Sequence, residues 1–234
     1  MYLGGKFRAA KHILPIILAG RKPGQWFVEP FLGGCNVLPN VENPRLASDI
    51  QSDLVQLYRQ IADGWIPPAV VTEEFYKQVK SSPQWFPACV VAFVSVACSF
   101  GGDRRGGYAR NRKGDDTSGL AGGSSRSLLK IAPKIQGVRW ASESYHRLSI
   151  PDQSIIYRDP PYTGTTGYGS AFDHAAFWQW AELKTKEGHR VFVSEYKAPA
   201  GWDCVWQKEV TNSVRKKEGS TKPVEKLFVF AGIK

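Results

Sequence analysis

Residues Ser154 to Tyr162 read S-I-I-Y-R-D-P-P-Y, and this stretch predicts the architecture of the chain. The run Ile155–Tyr157 is β-branched or aromatic and favours a buried strand. The strand must stop at Asp159, because two prolines follow and proline cannot continue a ladder of backbone hydrogen bonds. Asp159 is therefore expected at the carboxyl end of a strand, the edge where open α/β sheets bind ligands. A plain exit from a strand into a loop is the alternative.

A second informative stretch is W-F-V-E-P-F-L-G-G, residues 26–34. It reads as an apolar strand with Glu29 at its carboxyl end, followed by a glycine turn. Glycine allows the main chain to pass close to a bound ligand. The stretch is not the G-x-G-x-x-G dinucleotide fingerprint, and two glycines after a strand are by themselves typical of a simple turn.

A third stretch predicts another strand over Arg45–Ser48, then Asp49, then an amphipathic helix from about Ile50 to Asp63. Asp49 follows Gly33 by 16 residues. This spacing is close to that of the acid that ends the second strand of a Rossmann-like unit and binds ribose hydroxyls. An aspartate that caps the next helix explains the local pattern equally well.

The rest of the chain alternates helical and strand patterns. Helices are expected over Lys6–Leu18, where Pro15 should kink or end the helix, after a Thr72 cap, over Pro87–Phe100 and from an Asp173 cap to Glu187. Further strands are expected over Arg190–Ser194, Cys204–Val210 and Val224–Phe230. Core positions are expected for Trp85, Phe86, Phe93, Phe177, Trp178, Trp180 and Leu183.

Composition limits the classes of function. The 234 residues are 42% hydrophobic, enough for a sizeable core. The apolar runs are too short for a membrane span, and the start lacks the layout of a secretory signal, so an intracellular protein is expected. The four cysteines form no C-x-x-C pair and the histidines are scattered, so no metal site is expected.

The net charge of +10 favours a polyanionic partner. Ten basic residues against four acidic ones fall between Asp103 and Arg147. Within that region, Gly101–Gly123 holds eight glycines among basic and polar residues, and we expect it to form no core of its own. Arginine and lysine bind phosphates, while asparagine and tyrosine can read a base. A disordered, merely basic loop is the alternative.

Asp-Pro-Pro-Tyr at 159–162 resembles the catalytic motif of S-adenosylmethionine-dependent methyltransferases that act on exocyclic amino groups of nucleic-acid bases. The aspartate form is similar to that of the Dam-type DNA adenine-N6 methyltransferases. Three further segments resemble motifs of that family in the same order along the chain: Y-L-G-G-K at 2–6, F-V-E-P-F-L-G-G at 27–34, and A-S-D-I at 47–50.

The resemblance implies an α/β fold: a Rossmann-like methyltransferase sheet, mostly parallel with an antiparallel last strand, and an inserted target-recognition region. It implies catalysis by Asp159, Pro160 and Tyr162. It implies S-adenosyl-L-methionine as cofactor, bound by Tyr2, Lys6, Glu29, Pro30, Phe31, Gly33, Asp49 and Asp159. Residues 1–58 and 150–234 would form the catalytic, cofactor-binding domain and 59–149 the target-recognition region.

The implied reaction transfers a methyl group to the N6 amine of an adenine flipped out of DNA, with double-stranded DNA as partner. Contacts with nucleic acid are expected from Arg104, Arg105, Tyr108, Arg110, Asn111, Arg112, Lys113, Arg126, Lys216 and Lys217. The glycine-threonine loop 163–169 is expected to cover the site. Expected too are a monomer or weak dimer and a cytoplasmic place in a bacterial or phage-infected cell.

Two rival functions remain at this point. One is the same chemistry on another amine: cytosine N4, an RNA base or a glutamine amide. Aspartate at position 159 and the segment at 2–6 favour adenine. The other is a nucleic-acid-binding protein that has lost catalysis, which the intact motifs disfavour. The recognition sequence itself cannot be read from these residues.

Overall fold

A computed structural model of the chain describes residues 6–104, 106–110, 118–162, 172–209 and 224–231. Its described strands form one seven-stranded sheet in the order β3-β2-β1-β4-β5-β7-β6. The strands are β1 (Phe27–Glu29), β2 (Arg45–Ser48), β3 (Arg139–Ala141), β4 (Ile155–Arg158), β5 (Arg190–Glu195), β6 (Trp202–Glu209) and β7 (Val224–Phe230). The helices are α1 (Phe7–Ile17), α2 (Ser52–Ala62), α3 (Glu73–Ser81), α4 (Ala88–Ala97), α5 (Ser118–Ile131) and α6 (His174–Lys186).

The centre of the sheet is the pair β1 and β4, where the direction of strand addition reverses. β1 pairs in parallel with β2 on one side and with β4 on the other, so that Phe27 lies between Arg45 and Ile155. From β1 the chain moves outward through β2, and from β4 it moves outward in the opposite direction to β5. Crevices at such a reversal, outside the carboxyl ends of the strands, are where open α/β sheets bind ligands.

β7 is antiparallel to both of its neighbours, β5 and β6. It is inserted between them, so the sheet is parallel from β3 to β5 and antiparallel at the end. The sheet thus has the Rossmann-like methyltransferase architecture that the sequence predicted.

The two faces of the sheet carry separate hydrophobic clusters. Side chains alternate along a strand, so Ile155 and Tyr157 of β4 pack with α1, α2 and α4, while Ile156 faces the cluster that contains α6. All three are fully buried, each contributing roughly 1.5–3 kcal/mol of hydrophobic free energy. This burial on both faces fixes the strand that ends at Asp159.

Several helices differ from the sequence prediction. Pro15 lies inside α1 and the helix continues to Ile17. Residues 101–123, expected to form no core of their own, end in a helix: α5 begins at Ser118, and Ala121 is fully buried in the core formed with other elements. Gly122 allows α5 to pack closely there, because a β-carbon at this position would lie 3.2 Å from the carbonyl oxygen of Ala69.

Two expected core residues are exposed instead. Trp85 ends a short 3-10 turn and is 79% exposed, while the next residue, Phe86, packs edge-to-face on Phe75. Leu183 of α6 is 52% exposed. It follows the buried Ala181 by two residues and so lies about 200° around the helix from the face that packs on the sheet. None of the described helices is long and apolar enough to cross a bilayer.

Candidate active site

The Asp-Pro-Pro-Tyr segment begins at the end of a strand, as the two prolines predicted. β4 ends at Arg158, and Asp159 follows directly at the carboxyl edge of the sheet. Next to it, β1 ends at Glu29, which is buried and accepts a hydrogen bond from the Leu38 backbone N–H (3.2 Å to Oε2). The two carboxylates influence each other electrostatically. The reversal point of the sheet therefore holds both predicted acids.

Lys6, just before α1, joins Asp159 to a third acid. Its Nζ lies 2.8 Å from Asp159 Oδ1 and 3.2 Å from Glu225 Oε1 on β7. The Lys6 and Glu225 side chains are each 10% exposed and that of Asp159 is 18% exposed. The sequence predicted functions for Lys6 and Asp159 but none for Glu225.

Tyr162 closes this cluster. Its ring centre lies 4.4 Å from Lys6 Nζ, within the range of a cation–π contact, and its hydroxyl donates to Glu225 Oε1 at 3.4 Å. The ring also meets Tyr196 edge-to-face, with centroids 4.6 Å apart. Pro160, which follows Asp159 in sequence, is buried. The structure thus brings together Lys6, Asp159, Pro160 and Tyr162.

Burial dominates the electrostatics of the cluster. It raises the pKa of Asp159, and the adjacent Lys6 ammonium opposes the shift. Burial, together with the charge of Asp159, raises the pKa of Glu29 well above its ordinary value. For Lys6, burial alone would lower the pKa, but Asp159 and Glu225 outweigh it and the pKa is raised. One ammonium therefore faces two carboxylates, and the surplus negative charge suits a cationic ligand.

The glycine turn after β1 is tied to Asp49 after β2. Asp49 Oδ2 accepts from the Gly33 backbone N–H and Oδ1 from the Gln51 backbone N–H, both at 3.0 Å. The Tyr58 hydroxyl donates to the Gly33 carbonyl at 3.2 Å. Asp49 is not the N-cap of α2, because the helix starts at Ser52 and Gln51 is the capping residue. The alternative of a simple helix-capping aspartate was wrong.

Phe31, expected at the cofactor together with Pro30, packs on the α6 side of the sheet. Pro30 is buried. The Phe31 ring lies 5.4 Å from that of Tyr145 and 5.9 Å from that of Phe177. These rings surround Arg158, whose guanidinium is fully buried and has no hydrogen-bond partner in the described part of the chain. Nothing in the sequence pattern indicated a buried arginine here.

Residues 2–88, which include Lys6, Glu29 and Asp49, match the family of D12 class N6 adenine-specific DNA methyltransferases. The chain is also 28% identical over 198 residues to the retron Ec67 DNA adenine methylase of Escherichia coli, across 73% of this chain and 68% of the relative. Both matches support an adenine-specific DNA methyltransferase, an activity that requires a methyl donor.

The family match ends before Asp159, and the sheet places Asp159 next to the matched range. β1 and β4 are hydrogen-bonded neighbours, and Lys6 from the matched range contacts Asp159 beyond it. Among the described residues, no group of histidine, cysteine and acidic side chains is arranged to hold a metal ion.

Two of the arginines expected to contact DNA form ion pairs within the protein. Arg104 forms an ion pair with Asp53 in the first turn of α2, and its charge also acts on Asp49. Arg110 pairs with Glu73 at the start of α3. Both arginines are therefore partly neutralised within the protein.

The two other described DNA-contact candidates differ from each other. Tyr108 is held by a hydrogen bond from its hydroxyl to the Val71 carbonyl (2.7 Å) and by the ring of Tyr76, 5.4 Å away. Arg126 is exposed on α5. Tyr2, Arg105, Asn111, Arg112, Lys113, Lys216, Lys217 and the loop 163–169 lie outside the described residues.

Proposed function

We propose that this methyltransferase takes its methyl group from S-adenosyl-L-methionine and transfers it to the N6 amine of an adenine flipped out of double-stranded DNA. Asp159, Pro160 and Tyr162 act on the amine and the base. The observation that carries the proposal is the position of Asp159, whose largely buried side chain (18% exposed) contacts Lys6 one strand away from Glu29. The acid that binds the amine thus adjoins the segment assigned to the cofactor.

The residues at this edge fit S-adenosylmethionine. The Asp159, Glu225 and Lys6 cluster has more carboxylates than cations, which favours a sulfonium. The turn at Gly33, held by Asp49, lets the backbone approach a ligand closely, and each carboxylate oxygen of Asp49 has a second lone pair for a ribose hydroxyl. When bound, the cofactor supplies a methyl group that is electrophilic because it sits on a positively charged sulfur.

Adenine N6 is a poor nucleophile because its lone pair is delocalised into the ring. The Asp159 carboxylate and the Pro160 carbonyl can accept both N–H groups of the amine. This geometry localises the lone pair on nitrogen and stabilises the positive charge that develops as the nitrogen attacks in line. Burial of Asp159 strengthens the effect, since a charge acts more strongly in a water-poor site.

Tyr162 provides the surface on which the base rests. Contacts with Lys6 and Tyr196 hold its ring in place, so the base packs on a surface that exists before it binds. An adenine within a duplex cannot reach such a pocket, and the reaction therefore requires base flipping.

We assign residues 59–149 to target recognition, in keeping with their basic composition and with Arg126 exposed on α5. Expected with this function are action as a monomer or weak dimer and a cytoplasmic place in a bacterial or phage-infected cell.

Asp159→Ala and Asp159→Asn test the function. We expect both variants to bind DNA with unchanged affinity and to lose at least about 10²-fold in methyl transfer, measured as tritiated methyl incorporation. Asp152→Asn, an exposed acid seven residues earlier, is the matched control and should keep full activity.

Mass spectrometry of digested product identifies the amine. We expect N6-methyladenine. N4-methylcytosine as the product, or an undiminished rate in Asp159→Ala, would refute the proposal. DNA binding by the parent protein with no methyl transfer under any cofactor concentration would favour the inactive binding protein.

A further inference from the structure

Glu225 reaches the catalytic edge only because β7 is reversed. Parallel strands end at this edge, whereas an antiparallel strand begins there. Glu225 is the second residue of β7, and its neighbour Lys226 pairs with Glu195 at the end of β5. The acid comes from a point more than 200 residues from Lys6 in sequence, yet lies 3.2 Å from it.

Glu225 is almost completely buried, at 7% exposure. A carboxylate in such a place is unfavourable unless it is paired and hydrogen-bonded. Its Oε1 atom meets both conditions, since it receives the Lys6 ammonium at 3.2 Å and the Tyr162 hydroxyl at 3.4 Å. Glu225 therefore contacts two residues of the proposed catalytic cluster through one oxygen.

Among the described carboxylates, Asp159 and Glu225 lie at comparable distances from Lys6 Nζ, 2.8 Å and 3.2 Å. An ammonium bound to Asp159 competes with the target amine for that carboxylate. If Asp159 were the sole acceptor, release of Lys6 would leave a buried, unpaired cation, at a cost of several kcal/mol. A second carboxylate at contact distance removes that obstacle.

We propose that Glu225 is a positioning residue: it fixes Lys6 and Tyr162 beside Asp159 and accepts the Lys6 ammonium when Asp159 turns to the target amine. The proposal rests on the function assigned to Asp159 above. A purely structural role, in which Glu225 only ties β7 to the start of α1, makes different predictions for the pH dependence of the reaction.

Single-turnover methylation at saturating cofactor and DNA separates the two roles in Glu225→Gln. We expect the rate constant to fall by about 10-fold to 100-fold. A loss of this size corresponds to one or two contacts that are made in the transition state. Affinity for S-adenosylhomocysteine should change less than threefold. Glu225→Asp should recover part of the rate, and Glu182→Gln, which removes a carboxylate from a surface ion pair on α6, should leave it unchanged.

The pH dependence of the methylation rate tests the direction in which Glu225 shifts the pKa of Asp159. The negative charge of Glu225 raises the pKa of Asp159, so its removal in Glu225→Gln should lower that pKa. The acidic limb of the profile must therefore move to lower pH. An unmoved limb, or a rate lost only in proportion to cofactor affinity, would overturn the positioning role.

A stability measurement, which does not depend on catalysis, tests the role of Glu225 separately from the proposed function. In urea unfolding, Glu225→Gln should lower the midpoint in the parent but not in a Lys6→Met background, because the pair is already broken there. Additive shifts would overturn the inference even if the enzyme methylates adenine. Coupled shifts in a protein that methylates nothing would show that Glu225 holds Lys6 in place, as the inference requires, and would reject the proposed function.

Discussion

The guanidinium carbon of Arg158 lies 3.3 Å from the centre of the Trp180 ring. Phe177 at 4.9 Å and Tyr145 at 5.2 Å complete an aromatic enclosure around the cation. These rings replace the acceptors that the guanidinium lacks among the described residues, each desolvated cation–π contact contributing up to about 2 kcal/mol. Within the described part of the chain, the residue directly before Asp159 is therefore held by rings rather than by hydrogen bonds.

This enclosure predicts an unusual order of stabilities at position 158. Arg158→Met keeps an unbranched chain and removes the cost of burying a charge, so we expect the free energy of unfolding to stay within about 1 kcal/mol of the parent or to rise. Arg158→Lys should lose about 2 kcal/mol or more, because an ammonium is more strongly hydrated and cannot stack on a ring. Urea unfolding measures both.

Arg190→Met is the matched control for that series. Arg190 is half-buried on β5 and donates to the Ile17 carbonyl at 3.4 Å. Its replacement should cost about 1 kcal/mol, the worth of an ordinary hydrogen bond. A loss at Arg158→Met larger than that at Arg158→Lys would show that the charge itself stabilises the fold.

Asp49→Asn should weaken cofactor binding. The asparagine side chain keeps one acceptor oxygen, so it cannot accept from both the Gly33 and the Gln51 N–H groups. We expect the affinity for S-adenosylhomocysteine, measured by calorimetry, to fall at least about 10-fold, which equals 1.4 kcal/mol. Asp53→Asn, which breaks only the pair with Arg104, should change it less than threefold. Equal losses in both variants would contradict the assignment of Asp49.

The stability of the protein should depend on the ionisation of Glu29. Burial raises the folded-state pKa of Glu29 well above its ordinary value of 4.5. The protonated form therefore contributes its full stability below the pKa of the unfolded chain, near 4.5. That contribution is lost as the pH rises through the folded-state pKa. Glu29→Gln cannot ionise and still offers an acceptor to Leu38 N–H.

The measurement is the free energy of unfolding in urea between pH 4.5 and 7.5. We expect Glu29→Gln to gain stability relative to the parent steadily as pH rises, with the smallest difference at pH 4.5. Glu182→Gln, at an exposed ion pair, should run parallel to the parent throughout. A difference between parent and Glu29→Gln that is independent of pH would show that Glu29 is not protonated in the folded state.

Local chemistry explains how much of this site the sequence predicts. The prolines at 160 and 161 end β4 whatever surrounds them, so the place of Asp159 follows from nine residues. Nearby residues likewise predict that Glu29 ends β1. They also predict the Thr72 cap, whose side chain accepts a hydrogen bond from the Phe75 N–H as expected. Each of these features depends on residues a few positions apart.

The features that the sequence did not predict depend on distant residues. Glu225 becomes a partner of Lys6 only through the reversed β7, and Arg104 becomes a partner of Asp53 only through the packing of the segment after α4 on α2. A strand pattern carries no information about its direction, and a basic run does not reveal which acids will neutralise it. Composition alone therefore overstated the charge that Arg104 and Arg110 present to DNA.

That neutralisation predicts how the basic residues contribute to DNA affinity. Each phosphate contact makes the slope of log K against log salt more negative by about 0.9 for duplex DNA. Arg126 is exposed, so Arg126→Gln should make the negative slope shallower by about one unit. Arg104→Gln should leave the slope nearly unchanged. It should instead lower the free energy of unfolding, because Asp53 loses its counter-charge. Fluorescence anisotropy with labelled duplex between 50 and 200 mM salt, roughly the range where such slopes are steep, gives both values. If the parent plot is flat, the basic region takes no part in binding; a larger slope change at Arg104 than at Arg126 would mean that the Asp53 pair opens when DNA binds.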